Sequence, residues 1–155
     1  MDLNNLKKNY EQSSKKYKLP SFNALNIDFE IDKLDKNTDF LLRTIRKLMM
    51  EKVVNSINFL EMLLSPINTP RMYLSYIRTM SVEDKNIIDK IYSNLADLTL
   101  FSLDLEIDST EKKEADLIQK VFNEWNSLKP LFRQLLNNVK KPKNSVIKKE
   151  RSYFG

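Results

Sequence analysis

The chain carries a single glycine, Gly155 at its last position, and neither histidine nor cysteine. Helices lose stability at glycine, so a chain almost free of it is expected to be helical, with Pro, Ser and Asn serving its turns. The same absences narrow the chemistry. Phosphate loops and dinucleotide fingerprints need glycines that take positive φ and let backbone approach a ligand. Ser-His-Asp and Cys-His arrangements lack their base or their nucleophile. Zinc sites lose both preferred ligand types, and di-iron bundles lose their Glu-x-x-His element. Carboxylate, lysine, tyrosine and hydroxyl chemistry survive, and no spacing points to any of them. The expectation is a protein that is not an enzyme and takes no cofactor or metal.

At 155 residues, 41% hydrophobic and 30% charged, the chain suits one soluble domain that buries about two thirds of its unfolded surface. A cysteine-free composition excludes a disulfide framework and fits a reducing compartment. No segment approaches the ~20 apolar residues that span a bilayer. The opening stretch, Met1 to Lys8, has no apolar core of a signal peptide. A cytoplasmic protein with no membrane association is therefore expected.

The net charge of +5 is unevenly placed. Residues 140–155 hold six bases, Lys140, Lys141, Lys143, Lys148, Lys149 and Arg151, against Glu150, which by themselves equal the net charge of the chain. Residues 1–18 add five lysines against Asp2 and Glu11, which leaves 15 bases and 18 acids in residues 19–139, a net of −3. A mildly acidic body lies between two basic ends.

Apolar periodicity organises that body. In residues 1–18, Leu3, Leu6 and Tyr10 stand at helical spacing, as in a short amphipathic helix or a frayed end. Pro20 disfavours helix at Leu19, and Phe22, Leu25, Ile27, Phe29 and Ile31 partly alternate, which reads as an extended arm over 19–34 whose aromatics plug the body. After capping oxygens at Asn37, Thr38 and Asp39, a long helix repeats Leu41, Ile45, Leu48, Val53, Ile57, Leu60 and Leu64. Pro66 stops it, and a short helix follows from Arg71 to Thr79. Ser81 caps a second long helix with the stripe Ile87, Ile88, Ile91, Leu95, Leu98, Phe101 and Leu105. Thr99 to Ile107 alternates like a strand, but it continues a helical register. A third long helix starts near Ser109 and Thr110 and carries Ala115, Ile118, Phe122, Trp125, Phe132, Leu136 and Val139, with a kink expected at Pro130. The expected fold is all-α: a compact bundle of three long helices and one short helix, an extended N-terminal arm and a basic tail over 140–155.

Each candidate site has a plainer alternative. Asp104, Glu106 and Asp108 open like a calcium loop, but Ser109 and Ala115 occupy the places that need glycine and glutamate. Acids favoured at a helix N-terminus explain Asp108, Glu111 and Glu114 better. Asp28, Glu30, Asp32, Asp35 and Asp39 read as solvated residues around a helix start. Arg43, Arg46 and Lys47 share one side of the first long helix, as a stripe tracking phosphates would, or as an ordinary solvated face. Trp125 reads as a core anchor and the methionines as core filling, while Tyr73 and Tyr76 are the aromatics best placed for a partner surface. The basic tail attracts phosphate backbones or acidic proteins, and Tyr153 and Phe154 beside Arg151 suit a docking anchor.

Together these features point to a non-enzymatic helical adaptor that docks on a larger protein or ribonucleoprotein through its terminal segments. The alternative is sequence-nonspecific nucleic-acid binding by the tail and the Arg43, Arg46, Lys47 face. Self-association into a homo-oligomer is compatible with both.

Overall fold

The computed structural model describes residues 3–34 and 39–141. Every regular element among them is helical: α1 (Leu3–Tyr17), α2 (Phe22–Phe29), α3 (Leu41–Leu64), α4 (Arg71–Arg78), α5 (Val82–Ile107) and α6 (Glu111–Lys140). Short 3-10 turns at Ile31–Lys33 and Pro66–Asn68 complete the order. The protein is all-α.

Helices α3, α5 and α6 pack on one another and form the centre of the molecule. The link from α5 to α6 is only three residues long, Asp108 to Thr110, which forces the two helices side by side and antiparallel. Contacts from α3 to α5 run the same way: Arg46 meets Glu106, while Glu61 meets Tyr92. Helix α1 lies against α3 and α6, α2 against α3, and α4 against α6. The interior is aliphatic, with Ile45, Val53, Leu60, Ile88, Ile91, Leu95, Leu98, Ile118 and Val121 all buried.

Local chemistry sets most boundaries. Ser81 opens α5 with a reciprocal capping box: its Oγ accepts from the Asp84 amide at 3.0 Å, and Asp84 Oδ2 accepts from the Ser81 amide at 3.0 Å. Such a cap contributes about 1 kcal/mol. Thr110 caps α6 by accepting from the Lys113 amide at 3.2 Å. Thr99 to Ile107 is helical to its end. Pro130 stands inside α6, which continues through it as one element from Glu111 to Lys140. At α3 Phe40 occupies the N-cap position and makes no side-chain cap bond, while Asn37 and Thr38, two of the expected capping residues, lie outside the described residues.

The extended arm is also corrected, because residues 22–29 are helical and the chain before them is α1. Pro20 does keep Leu19 out of a helix, but Ser21 then caps a new one, accepting from the Ala24 amide at 3.2 Å. Phe22, Leu25 and Phe29 are buried at helical spacing, whereas Ile27, which completed the alternation, points to water. The bundle expected as three long helices and one short therefore gains α1 and α2. Both are seated by specific contacts. Tyr10 is fully buried, donates to the Pro20 carbonyl at 2.6 Å and meets Phe22 edge-on at 5.8 Å between centroids. Burial pushes the Tyr10 phenol well above its ordinary pKa.

Without internal glycine, the chain turns left-handed at other residues. Lys18, after α1, has φ of 54°, and Glu30, after α2, has φ of 51°. Each conformation costs roughly 1–2 kcal/mol relative to the right-handed region. The Glu30 amide is repaid by donating to the Asn26 carbonyl at 2.9 Å.

Candidate functional site

Two features stand out where α3, α5 and α6 meet near the α5–α6 link. One is a buried ion network, the other an apolar face turned to water.

Arg46 is 2% exposed and sits on the core face of α3, between Leu42 and Met49. Its Nε donates to Glu114 Oε2 at 2.8 Å and its Nη2 to Glu114 Oε1 at 3.3 Å. From Nη1 it reaches α5, donating to Ser102 Oγ at 3.1 Å and to Glu106 Oε1 at 2.7 Å. Ser109 Oγ donates to Glu114 at 2.7 Å, and Arg43 Nε lies 3.4 Å from the same carboxylate. Burial opposes ionisation of Glu114, and the bonds from Arg46 and Ser109 with the nearby arginine charges outweigh it, holding the carboxyl below its ordinary range. Burial likewise opposes the Arg46 charge, and the two glutamates overcome it. The Arg46 bond chiefly lowers Glu106, whose side chain is half-exposed.

This geometry corrects the basic stripe. Arg46 is a buried tie between three helices and offers nothing to a phosphate. Arg43 is partly exposed, shared between Glu114 and the Phe40 ring. Lys47 is exposed, 4.0 Å from Glu106. The three expected cations are thus drawn toward two carboxylates of neighbouring helices. Sequence did carry a signal for the network: Arg46 falls within the apolar register of Leu42, Ile45, Met49 and Val53, and Glu114 beside Ala115, Leu117 and Ile118. One cation and one anion on the core faces of adjacent helices imply a buried pair.

The second feature is on α5. Its core face is already filled by Ile87, Ile88, Ile91, Leu95, Leu98 and Leu105. On the opposite side Leu100, Leu103 and Ile107 are 65%, 57% and 86% exposed. Steps of three and four residues place them in one row about 10 Å long. The alternation over 99–107 therefore marks a helix apolar on two faces.

The remaining candidates divide as follows. Lys140 closes α6 and Lys141 follows it, both exposed. Lys143, Lys148, Lys149, Arg151, Tyr153 and Phe154 lie outside the described residues. Tyr76 is buried and so leaves the partner surface, while Tyr73 packs edge-on against Phe59 at 5.8 Å. Trp125 is a core anchor, 6.0 Å from Phe29 and 5.7 Å from Phe132 between centroids. Its ring also faces Lys52 Nζ at 5.0 Å. An open cleft of about 530 Å³ lies beside the α3 and α6 N-termini, lined by Asn9, Arg43 and Glu111 among others.

The chain is 34% identical over 161 aligned positions to Trophozoite exported protein 1 of Plasmodium falciparum (isolate 3D7). That similarity covers 98% of this chain but only 14% of the relative's length. No protein-family description matches the chain, and no solved structure matches it.

Proposed function

We propose that the chain is a non-enzymatic helical adaptor that docks on a larger protein assembly. The observation that supports this most directly is the row Leu100, Leu103 and Ile107, left in water on a helix whose core face is complete. Exposed apolar rows on otherwise well-packed domains mark interaction surfaces. The buried network fits the same reading, because Arg46 and Glu114 satisfy one another and so serve as ties between helices.

Terminal docking belongs to this proposal. Lys140, Lys141, Lys143, Lys148, Lys149 and Arg151 steer the encounter with an acidic surface, and Tyr153 and Phe154 supply apolar anchors. Direct nucleic-acid binding stands as the second reading, supported by the same bases together with exposed Lys47 and half-exposed Arg43. For location, the sequence expectation is cytoplasmic, whereas the name of the 34% identical relative lends an exported one. Imaging the tagged chain in its native cell separates these two.

The test is a pull-down of the full chain from its native host, with and without nuclease, beside a variant carrying Lys143→Ser, Lys148→Ser, Lys149→Ser, Arg151→Ser, Tyr153→Ser and Phe154→Ser. A stoichiometric protein that survives nuclease and is lost by the variant is the expected outcome. Recovery that vanishes with nuclease for both proteins favours the nucleic-acid reading, and a partner retained by the variant sinks terminal docking.

A further inference from the structure

We infer that the outer face of α5, from Asp97 to Ile107, is a docking site for a basic amphipathic helix of a partner protein. This rests on the adaptor reading above and names one of its surfaces. The apolar half of the argument is the row Leu100, Leu103 and Ile107, which has the spacing of anchors for a helix laid alongside.

Charge decides the occupant. Between Lys90 and Lys112 the sequence has no base but five acids, Asp97, Asp104, Glu106, Asp108 and Glu111, on a chain whose net charge is +5. Asp97 precedes Leu100 by three residues, and Asp104 lies four after Leu100 and three before Ile107, so both edge the row. Glu106 is held by Arg46, and Asp108 by Lys113 at 2.5 Å. Asp97 and Asp104 are exposed and belong to no ion pair among the described residues. Toward α6 stand two bases: Lys120, laid over the Phe101 ring with its Nζ 3.5 Å from the centroid, and Lys113, which shares a cleft with Asp104 and Asp116 and is paired with Asp108. On the α3 side an open cleft of about 560 Å³ adds the apolar side chains Met50 and Val54, and its charges are mixed, Glu51 and Glu106 standing beside Lys47 and the buried Arg46, so the acidic edge is that of Asp97 and Asp104 alone. A partner helix with leucine-like anchors and flanking lysines meets both demands, burying the row while its charges face Asp97 and Asp104.

The probe is a labelled synthetic 15-residue amphipathic peptide with leucines on one face and lysines elsewhere, set against a sister peptide with glutamates in place of lysines. Binding to the full chain is followed by fluorescence anisotropy at low and high salt. Long-range attraction to a chain of net +5 would favour the glutamate peptide, so a preference for the lysine peptide reports the local acidic edge. Expected are binding of the lysine peptide, a loss of at least about tenfold in L100S/L103S/I107S, and a several-fold loss with flatter salt dependence in D97N/D104N. Equal binding of the glutamate peptide, or unchanged affinity in the triple variant, overturns the inference. So does sedimentation showing that the full chain self-associates and that the triple variant does not, since the occupant is then a second copy. No binding of the lysine peptide, while the six-residue terminal variant still loses its native partner, confines the failure to this face; peptide binding beside a terminal variant that keeps its partner confines it to the termini.

Discussion

The two sides of the last turns of α5 invert the usual arrangement of a surface helix. Inward, Ser102 and Glu106 reach a buried guanidinium; outward, Leu100, Leu103 and Ile107 stand in water. The first turns of the same helix follow the ordinary rule, with Asp84 in the cap and Ile87, Ile88 and Ile91 in the core. Hydrophobic burial alone explains the first turns and fails for the last. A buried ion pair is weak evidence for stability, because desolvation of both charges cancels most of their attraction. What the Arg46 network supplies is a fixed relation between α3, α5 and α6, since a guanidinium bonded on several sides leaves the helices little freedom to slide. Stiffness inside and surplus hydrocarbon outside suit a surface that is presented rather than folded upon binding.

Breaking the inner side has the largest expected effect. Arg46→Ala takes from the buried Glu114 its closest charged partner, leaving it Ser109 and the partly exposed Arg43, and should cost about 3–5 kcal/mol in urea unfolding. The double variant R46M/E114L should recover most of that loss, because apolar groups of similar size need no partner. A double variant as unstable as R46A would show that the network holds the fold by charge itself.

Acid should act on the same side. Glu114 and Glu106 have folded pKa values below the ordinary 4.5, so the folded state binds fewer protons than the unfolded chain. Their contribution is fully present above about pH 4.5 and is lost as pH falls through the folded values. Urea midpoints should therefore drop on acidification below that point, and drop less in R46M/E114L, where Glu114 is absent and Glu106 has lost its main partner. An identical acid response in both proteins would place the sensitivity elsewhere, for example at Glu111, which Tyr17 and Lys16 also hold low.

A smaller gain is expected far from this junction. Lys18→Gly removes the steric cost of a left-handed lysine while keeping the carbonyl that accepts from Gln119 at 3.4 Å. Stability should rise by up to about 1 kcal/mol. A fall would mean that the added freedom of the unfolded chain outweighs the relief.

Both the successes and the failures of sequence reading have physical causes. Helices that bury one clear stripe and start at a good cap were legible, as Ser81 and Thr110 show. Helix α2 was not, because Pro20 masked Ser21 as a cap and exposed Ile27 completed an accidental alternation. Arg46 was misplaced because a charged residue is normally solvated, and only the register of Leu42 and Met49 on one side and Glu114 on another helix betrays its burial. The outer row of α5 was visible as apolar residues, but its exposure depends on where α3 and α6 pack, which no local pattern states.

The contrast between the two sides of α5 is tested most directly by thermal unfolding of R46A and L100S/L103S/I107S beside the parent chain. Exposed side chains contribute little to folding, so the triple variant should melt within a few degrees of the parent while R46A melts far lower. A triple variant that loses as much stability as R46A would contradict the assignment, because the outer row would then be holding the fold together instead of waiting for a partner.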